Sequence, residues 1–206
     1  QVMSDEHLED LAAEASRHAL ENAGLTATDL DFIICSNVLD EFISPPLGCR
    51  VQSLIGAHCP SINMNGACAG FIFALNTAEA YIKSGVAKHI LVLAAEMPTR
   101  MVDWTERGTA VLFGDGAGAV MVEKCEDGGI ISFVQHADGS RGHVLSCGSR
   151  QLNNPYYKEE AQSNFVQMDG REVFAFAVRQ VPAAINEALE KANLTPLDVD
   201  KYVLHQ

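Results

Sequence analysis

Cys68 is the residue in this sequence whose setting best suits chemistry. It lies in Gly66-Ala-Cys-Ala-Gly70, between Ser61-Ile-Asn-Met-Asn65, which reads as a strand, and an apolar stretch from Ala69 to Ser84, which reads as a helix. Small neighbours permit a tight turn and close approach of a substrate. A helix N-terminus presents free N–H groups and the positive end of the macrodipole, which favour thiolate over thiol and can donate to an oxyanion. The pattern is that of a nucleophile elbow with cysteine in place of serine, and its chemistry would be attack on a carbonyl carbon. The other reading of the same residues is a tightly packed helix with Cys68 as an inert, buried thiol.

His205 is the second candidate because it follows the apolar run Tyr202-Val-Leu204, a predicted strand. In parallel α/β sheets ligands gather beyond the carboxyl ends of strands, so Cys68 and His205 can converge there. A surface histidine is the alternative. The seven histidines show no metal-ligand pairing, and the six cysteines contain no C-x-x-C pair. Reduced, individually buried thiols fit this better than a disulfide frame or a zinc site. Gly114-Asp-Gly-Ala-Gly118 superficially resembles a dinucleotide loop, but Ala-Val-Met-Val-Glu follows it. That is a strand, with no helix N-terminus for a pyrophosphate, so the glycines are expected to allow a sharp strand junction near the active site.

The elements that must position these residues alternate. Ser4 can cap a helix whose stripe runs Leu8, Leu11, Ala12, Ala15, Ala19 and Ala23, with Gly24 as its stop. Asp31 to Cys35 is a short strand, Leu47 to Ile55 a helix ending at Gly56, and His89 to Ala95 a nearly all-apolar strand, as one covered on both faces should be. Strand–helix–strand alternation at this spacing gives an α/β class with parallel pairing. Val111 to Val122 is expected to form a strand pair and Ile130 to Gln135 a further strand, while the polar stretch Arg150 to Gln162 reads as an exposed loop. Asp169 with Glu172 forms a capping box for a helix striped by Phe174, Val178, Val181, Ile185 and Leu189, with Pro182 expected to kink it.

A repeat links the two ends of this order. His18 to Asn37 aligns without gaps on Glu187 to Gln206 at a constant offset of 169, and alanine, leucine, glutamate, threonine and two aspartates coincide. Shared capping chemistry alone could produce such a match. The sharper reading is a duplicated α/β unit related by a pseudo-twofold. Copy one continues into a whole layer of elements, so the chain is expected to end in the middle of a fold.

Composition narrows the classes. The 206 residues carry 14 basic and 27 acidic side chains, a net charge of −13, with 48% hydrophobic and 20% charged residues. These are globular values, which exclude wholesale disorder. The acidic balance argues against nucleic acid. No uninterrupted apolar run is longer than Ile90 to Ala95, far short of the roughly 18 residues of a membrane span. With a polar N-terminus and no signal-like segment, the expectation is a cytoplasmic protein that uses no membrane.

Five segments together resemble one family: Asn65-Gly-Ala-Cys-Ala-Gly-Phe71, Thr105-Glu-Arg-Gly-Thr109, Phe113-Gly-Asp-Gly-Ala-Gly-Ala119, Met168-Asp-Gly-Arg-Glu-Val-Phe174 and Leu204-His-Gln206. They are similar to β-ketoacyl-acyl-carrier-protein synthase III, in order and over essentially the whole chain. The resemblance implies a thiolase-like fold of two similar α/β halves, with residues 1–168 being most of the first and 169–206 the start of the second. It implies that Cys68 takes an acyl group from an acyl-CoA primer, usually acetyl-CoA, and that His205 opens a His-Gln-Ala-Asn motif. Arg107 would flank the CoA adenine, Phe113 and Met168 would stand beside the acyl and pantetheine tunnel, and Gly170 and Phe174 would line it.

The resemblance further implies condensation with malonyl-acyl-carrier protein, a homodimer, and no cofactor, the CoA and carrier-protein thioesters being substrates. The loop before Pro45-Pro46 would reach into the partner's acyl pocket, where Phe42 or Ile43 would shape primer length in the homodimer. The family's third catalytic residue, an asparagine, and the tryptophan and arginine that clamp the CoA nucleotide match no position here, so this stretch alone is expected to be inactive. A related thiolase-fold synthase for quinolone or polyketide initiation, or a non-catalytic acyl-binding scaffold, are the competing readings. A hydroxymethylglutaryl-CoA synthase is disfavoured, because no glutamate stands in a recognisable base motif beside the cysteine turn.

Overall fold

The structure, a computed structural model, describes residues 6–148, 153–158 and 163–205. Two compact units are present. Among the described residues, the first comprises 6–97, 114–129 and 205, and the second 98–113, 130–148, 153–158 and 163–204. The division expected between halves, at 168/169, falls inside the second unit.

In the first unit, helix α1 (Leu8–Ala23) stops at Gly24, where φ of 66° needs a left-handed residue. His7 is its N-cap and makes no side-chain cap bond; the expected cap, Ser4, lies outside the described residues. Strand β1 (Phe32–Ser36), helix α2 (Leu47–Ile55), strand β2 (Ser61–Met64), helix α3 (Gly70–Lys83), strand β3 (His89–Glu96) and strand β4 (Gly116–Glu123) follow. The sheet order is β2-β1-β3-β4. Strand β1 is parallel to both β2 and β3, so each connection crosses over through a helix.

The alternation of β1 and β3 assigns the helices to faces. Ile33 and Cys35, with Leu91, Leu93 and Ala95, pack toward α1 and α2. Ile34, Ile90 and Val92 pack with Ala74 and Ala78 of α3. These two alanines, one helical turn apart and fully buried, let α3 lie close on the sheet. The β1 and β3 side chains at the centre are fully buried, as a strand covered on both faces requires. Asp31 fastens the entry of β1 to that of β3 by accepting from the Lys88 and His89 amides at 2.7 and 3.0 Å.

Two expectations change here. Val111 to Val122 holds one strand, not two, and β4 runs antiparallel to β3 with Glu96 opposite Gly116 and His89 opposite Glu123. The chain passes through the second unit between β3 and β4 and returns without a crossover helix on this sheet, which permits the reversed direction. A Cβ placed on Gly114, Gly116 or Gly118 would meet nothing within 4 Å. These glycines occupy ordinary backbone beside open space, not the sharp junction their pattern suggested.

The second unit contains helix α4 (Arg107–Ala110), strand β5 (Leu145–Cys147), two-residue strands β6 (Asn153–Asn154) and β7 (Tyr157–Lys158), strand β8 (Val166–Met168) and helix α5 (Gly170–Ala192). Strands β5 and β8 pair antiparallel, as do β6 and β7. The expected loop Arg150 to Gln162 therefore includes a small hairpin, and its residues 150–152 and 159–162 lie outside the described residues. Ile130 to Gln135 is not a strand, because no strand pairs with it among the described residues; the Ser132 hydroxyl donates instead to the Ala188 carbonyl at 2.9 Å.

Helix α5 runs through Pro182 as one element, and none of its residues is buried. Its expected capping box is half formed. Asp169 accepts from the Arg171 and Glu172 amides, both at 3.1 Å, but Glu172 pairs with Arg141 at 2.6 Å. The Asp169 amide that the box would use already donates to the Val144 carbonyl.

The aligned stretches adopt one local form. Gly24 and Asn193 are both left-handed, at φ of 66° and 54°, and each leads into a short 3-10 turn capped reciprocally by Thr26 with Asp29 or Thr195 with Asp198. They part afterwards. Copy one continues as β1, whereas Lys201 to His205 has no regular structure, with Val203 86% exposed. The expected strand Tyr202–Leu204 does not form because a strand needs a ladder partner and none lies beside it among the described residues.

Candidate active site

Cys68 stands in a 3-10 turn, Ala67–Ala69, between the carboxyl end of β2 and the first residue of α3. The backbone there is tightly constrained. Ala67 has φ of +48°, a left-handed value that costs a residue with a Cβ, and the Asn65 side chain steadies the turn by accepting from the Ala67 amide at 3.2 Å. A Cβ on Gly66 would come within 2.8 Å of Gly70 Cα and of the Phe73 ring. One on Gly70 would overlap the Ser36 hydroxyl. Glycine is thus required on both sides of the cysteine by direct contact, and the turn has the strained strand-to-helix form that projects a nucleophile.

Exposure separates the thiols. Cys35 and Cys59 are buried, and Cys49 and Cys147 are half-buried. Burial, reinforced by the Asp40 and Glu96 charges, pushes the Cys35 thiol up to about 12, and burial also raises Cys59 and Cys147. Cys68 and Cys125 are exposed. Cys68 is therefore not the inert core thiol of the alternative reading, and the expectation of individually buried thiols holds for Cys35 and Cys59.

The other expected site residues divide between the units. His205 is exposed, in the irregular segment after the 3-10 turn Pro196–Asp198, and no hydrogen bond joins it to Cys68 among the described residues. Arg107 is the exposed first residue of α4. Glu106 caps that helix, its carboxylate accepting from the Gly108 and Thr109 amides at 2.7 and 2.8 Å; the Thr109 hydroxyl and then the Gly108 amide hold it below the usual carboxylate range. Phe113 is half-buried.

Met168 and Gly170 are brought together, since a Cβ on Gly170 would lie 3.6 Å from Met168 Cε. Met168 ends β8 opposite Leu145, and the Val166 amide of the same strand donates to the Met101 carbonyl at 2.8 Å. Phe174, one turn into α5, is 68% exposed.

The loop after β1 holds residues that sequence reasoning did not single out. Asn37 donates to the Leu39 and Ala95 carbonyls, and Glu96 accepts from the Val38 and Leu39 amides at 2.6 and 3.2 Å. Glu96 is raised above its ordinary value by burial. Asn65 carried a legible signal, an asparagine opening a glycine turn. Asn37 and Glu96 carried none, because their partners are backbone groups distant in sequence. Among the described residues no cluster of three or more His, Cys, Asp or Glu side chains is placed to hold a metal ion, and no helix is long and apolar enough to cross a membrane.

Known proteins resemble this chain in sequence and fold. The family model for 3-oxoacyl-[acyl-carrier-protein] synthase III matches residues 62–139. The whole chain is 40% identical to β-ketoacyl-[acyl-carrier-protein] synthase III of Streptococcus uberis and 42% identical to that of Streptococcus suis, spanning 64% and 63% of their lengths. The crystal structure of 3-oxoacyl-[acyl-carrier-protein] synthase III from Aquifex aeolicus superposes with a TM-score of 0.87 at 36% identity, covering 97% of this chain and 61% of that one. A priming β-ketosynthase of a polyketide biosynthetic pathway gives 0.87 at 34% identity, covering 96% and 59%. With a mixed α/β sheet, a cysteine turn between β2 and α3, and this likeness along its full length, the chain is similar to the β-ketoacyl-acyl-carrier-protein synthase III proteins and has their thiolase-like fold.

Proposed function

We propose that Cys68 is the acyl-accepting nucleophile of a decarboxylative Claisen condensation. The exposed thiol on a strained turn at the N-terminus of α3 is the observation that carries this reading. The Cys68 thiolate attacks the carbonyl of an acyl-CoA primer, acetyl-CoA being the expected one; the carbon–sulfur bond to CoA breaks and the CoA thiol departs. Malonyl-acyl-carrier protein then loses CO₂, and the electron pair of the broken carbon–carbon bond forms an enolate. The enolate carbon attacks the acyl-Cys68 carbonyl, releasing the cysteine thiolate and giving a β-ketoacyl product. His205 is one donor to the enolate oxygen.

Arg107, exposed at the start of α4, contacts the CoA adenine, and Phe113, Met168, Gly170 and Phe174 line the tunnel for acyl chain and pantetheine. The contact of Gly170 with Met168 and the uncovered Phe174 ring support that placement. The protein works as a cytoplasmic homodimer, initiates fatty-acid synthesis, and uses no cofactor beyond its thioester substrates. Residues 1–168 belong to one thiolase-like half and 169–206 open the other, which the matching turns at Thr26–Asp29 and Thr195–Asp198 support. Mass spectrometry of the complete gene product after incubation with acetyl-CoA tests the reading. One acetyl group on Cys68 is expected, and its absence from Cys68 overturns the proposal.

A further inference from the structure

Cys68 hangs between two fixed points. Before it, β2 is paired to its end: the carbonyl of Met64, the residue preceding Asn65, accepts from the Asn37 amide at 3.1 Å. After it, α3 starts at Gly70, which is seated against the Ser36 hydroxyl, and the buried Ala74 and Ala78 hold the helix on the sheet. Only Asn65 to Ala69 lies between these anchors. Within that stretch Ala67 has φ of +48°, a value that residues with a Cβ rarely adopt. Both of its backbone groups are engaged. The Ala67 amide donates to Asn65 Oδ1 at 3.2 Å, and its carbonyl accepts from the Gly70 amide.

An asparagine oxygen reaches the backbone amide two residues on, which makes this side chain a natural brace for such a turn. Without that acceptor the left-handed form loses its support, and Ala67 would relax toward ordinary φ. The rotation could not pass down the chain, because Gly70 and α3 are seated. It would be absorbed at Cys68 and Ala69, turning the thiol relative to the N–H groups that open α3. We infer that Asn65 is a positioning residue: by holding Ala67 left-handed, it orients Cys68 for acyl transfer. The inference rests on the acyl-transfer reading above. Asn65 and Ala67 are both exposed, so changing either removes no core packing.

The test is single-turnover acetylation of Cys68 by acetyl-CoA in the complete gene product, with the saturating rate and the half-saturating concentration separated. Asn65→Ala should lower the saturating rate on the order of tenfold and leave half-saturation within about twofold, as a misaimed nucleophile does when substrate binding is intact. Asn65→Ser, whose hydroxyl accepts the same amide more weakly, should lie between. Glycine adopts positive φ without steric cost, so Ala67→Gly should make the reaction less dependent on Asn65. In that background the loss caused by Asn65→Ala should shrink to about threefold or less. Folding is judged by far-UV circular dichroism, and if Asn65→Ala does not fold, Asn65→Ser is read in both backgrounds by the same criteria. A saturating rate within about twofold of wild type in the folded variant, or an equal loss in both backgrounds, overturns the inference while leaving the acyl-transfer reading intact. A wild-type protein whose Cys68 takes no acetyl group overturns the acyl-transfer reading itself.

Discussion

The Ser36 hydroxyl occupies the space into which a side chain on Gly70 would project. This single contact joins the end of β1 to the first turn of α3, and through that turn it fixes the height of Cys68 above the sheet. Gly70→Ala should destabilise the protein by about 1–3 kcal/mol, the usual cost of overpacking a filled interior. Ser36→Gly in the same chain should restore most of the loss. Urea unfolding of the two single variants and the double variant measures the coupling, and strictly additive effects would show that the contact does not matter.

Thiol chemistry should sort the cysteines by exposure. A soluble disulfide reagent should react first with Cys68 and Cys125, whereas Cys35, pushed up to about 12 by burial, should wait for unfolding. Cys68→Ala should abolish acyl transfer from acetyl-CoA, and Cys125→Ala should leave it intact. Peptide mapping of the labelled protein distinguishes these sites; acetyl transfer that survives Cys68→Ala would remove the nucleophile from its assigned position.

Two carboxylates should give stability profiles of opposite sign. Burial raises Glu96 above its ordinary 4.5, so the folded state binds the proton more tightly than the unfolded chain. Stability from this group is fully present below about 4.5 and is lost as pH rises through the raised folded value. Relative to Glu96→Gln, the wild-type Tm should therefore fall over that interval and then level. Asp31 is lowered by the Lys88 and His89 amides, so its contribution is present above 3.8 and is lost as pH falls through the depressed folded value. Thermal unfolding of wild type, Glu96→Gln and Asp31→Asn across the acid range checks both signs; a pH-independent gap for either variant would refute that assignment.

The paired turns offer a symmetric test. Asp29 is lowered first by the Thr26 hydroxyl and then by its amide, and Asp198 first by the Thr195 amide and then by its hydroxyl. Each should therefore contribute stability that disappears as pH falls below the ordinary carboxylate value of 3.8. Asp29→Asn and Asp198→Asn should each flatten part of the acid limb of the wild-type profile. A change at one aspartate and none at the other would separate the two copies energetically.

Much of the first unit was legible because its signals are local. Gly24 and Gly56 mark helix ends by their own left-handed backbone, and the nearly continuous apolar run of β3 declares a strand buried on both faces. The alignment of residues 18–37 with 187–206 was legible for the same reason, since Thr26 and Asp29 act on each other within one turn. What escaped depends on distant partners. Tyr202 to Leu204 has the composition of a strand, but composition cannot furnish a ladder. Ile130 to Gln135 failed for that reason too. Glu172 turned to Arg141, thirty-one positions away, instead of closing the box that its spacing from Asp169 offered. The cysteine turn was readable from its glycines, whereas the clamp formed by Arg50 was not, because it is assembled from Glu9, Asp40 and Pro45 only when α1 and α2 meet.

The two rims of the four-stranded sheet differ in kind. Strand β2 is four residues long and follows Pro60, which offers a newcomer little to pair with. Strand β4 is twice that length, and from Gly116 to Val122 it carries only glycine, alanine, valine and methionine. It has no lysine, proline or bulge to repel an extended backbone, the devices by which natural proteins guard an outer strand. The sheet therefore has a direction of growth. An additional strand, whether from the same polypeptide or another copy, would find its unguarded partner on the β4 side, and there colloidal behaviour at high concentration would be decided.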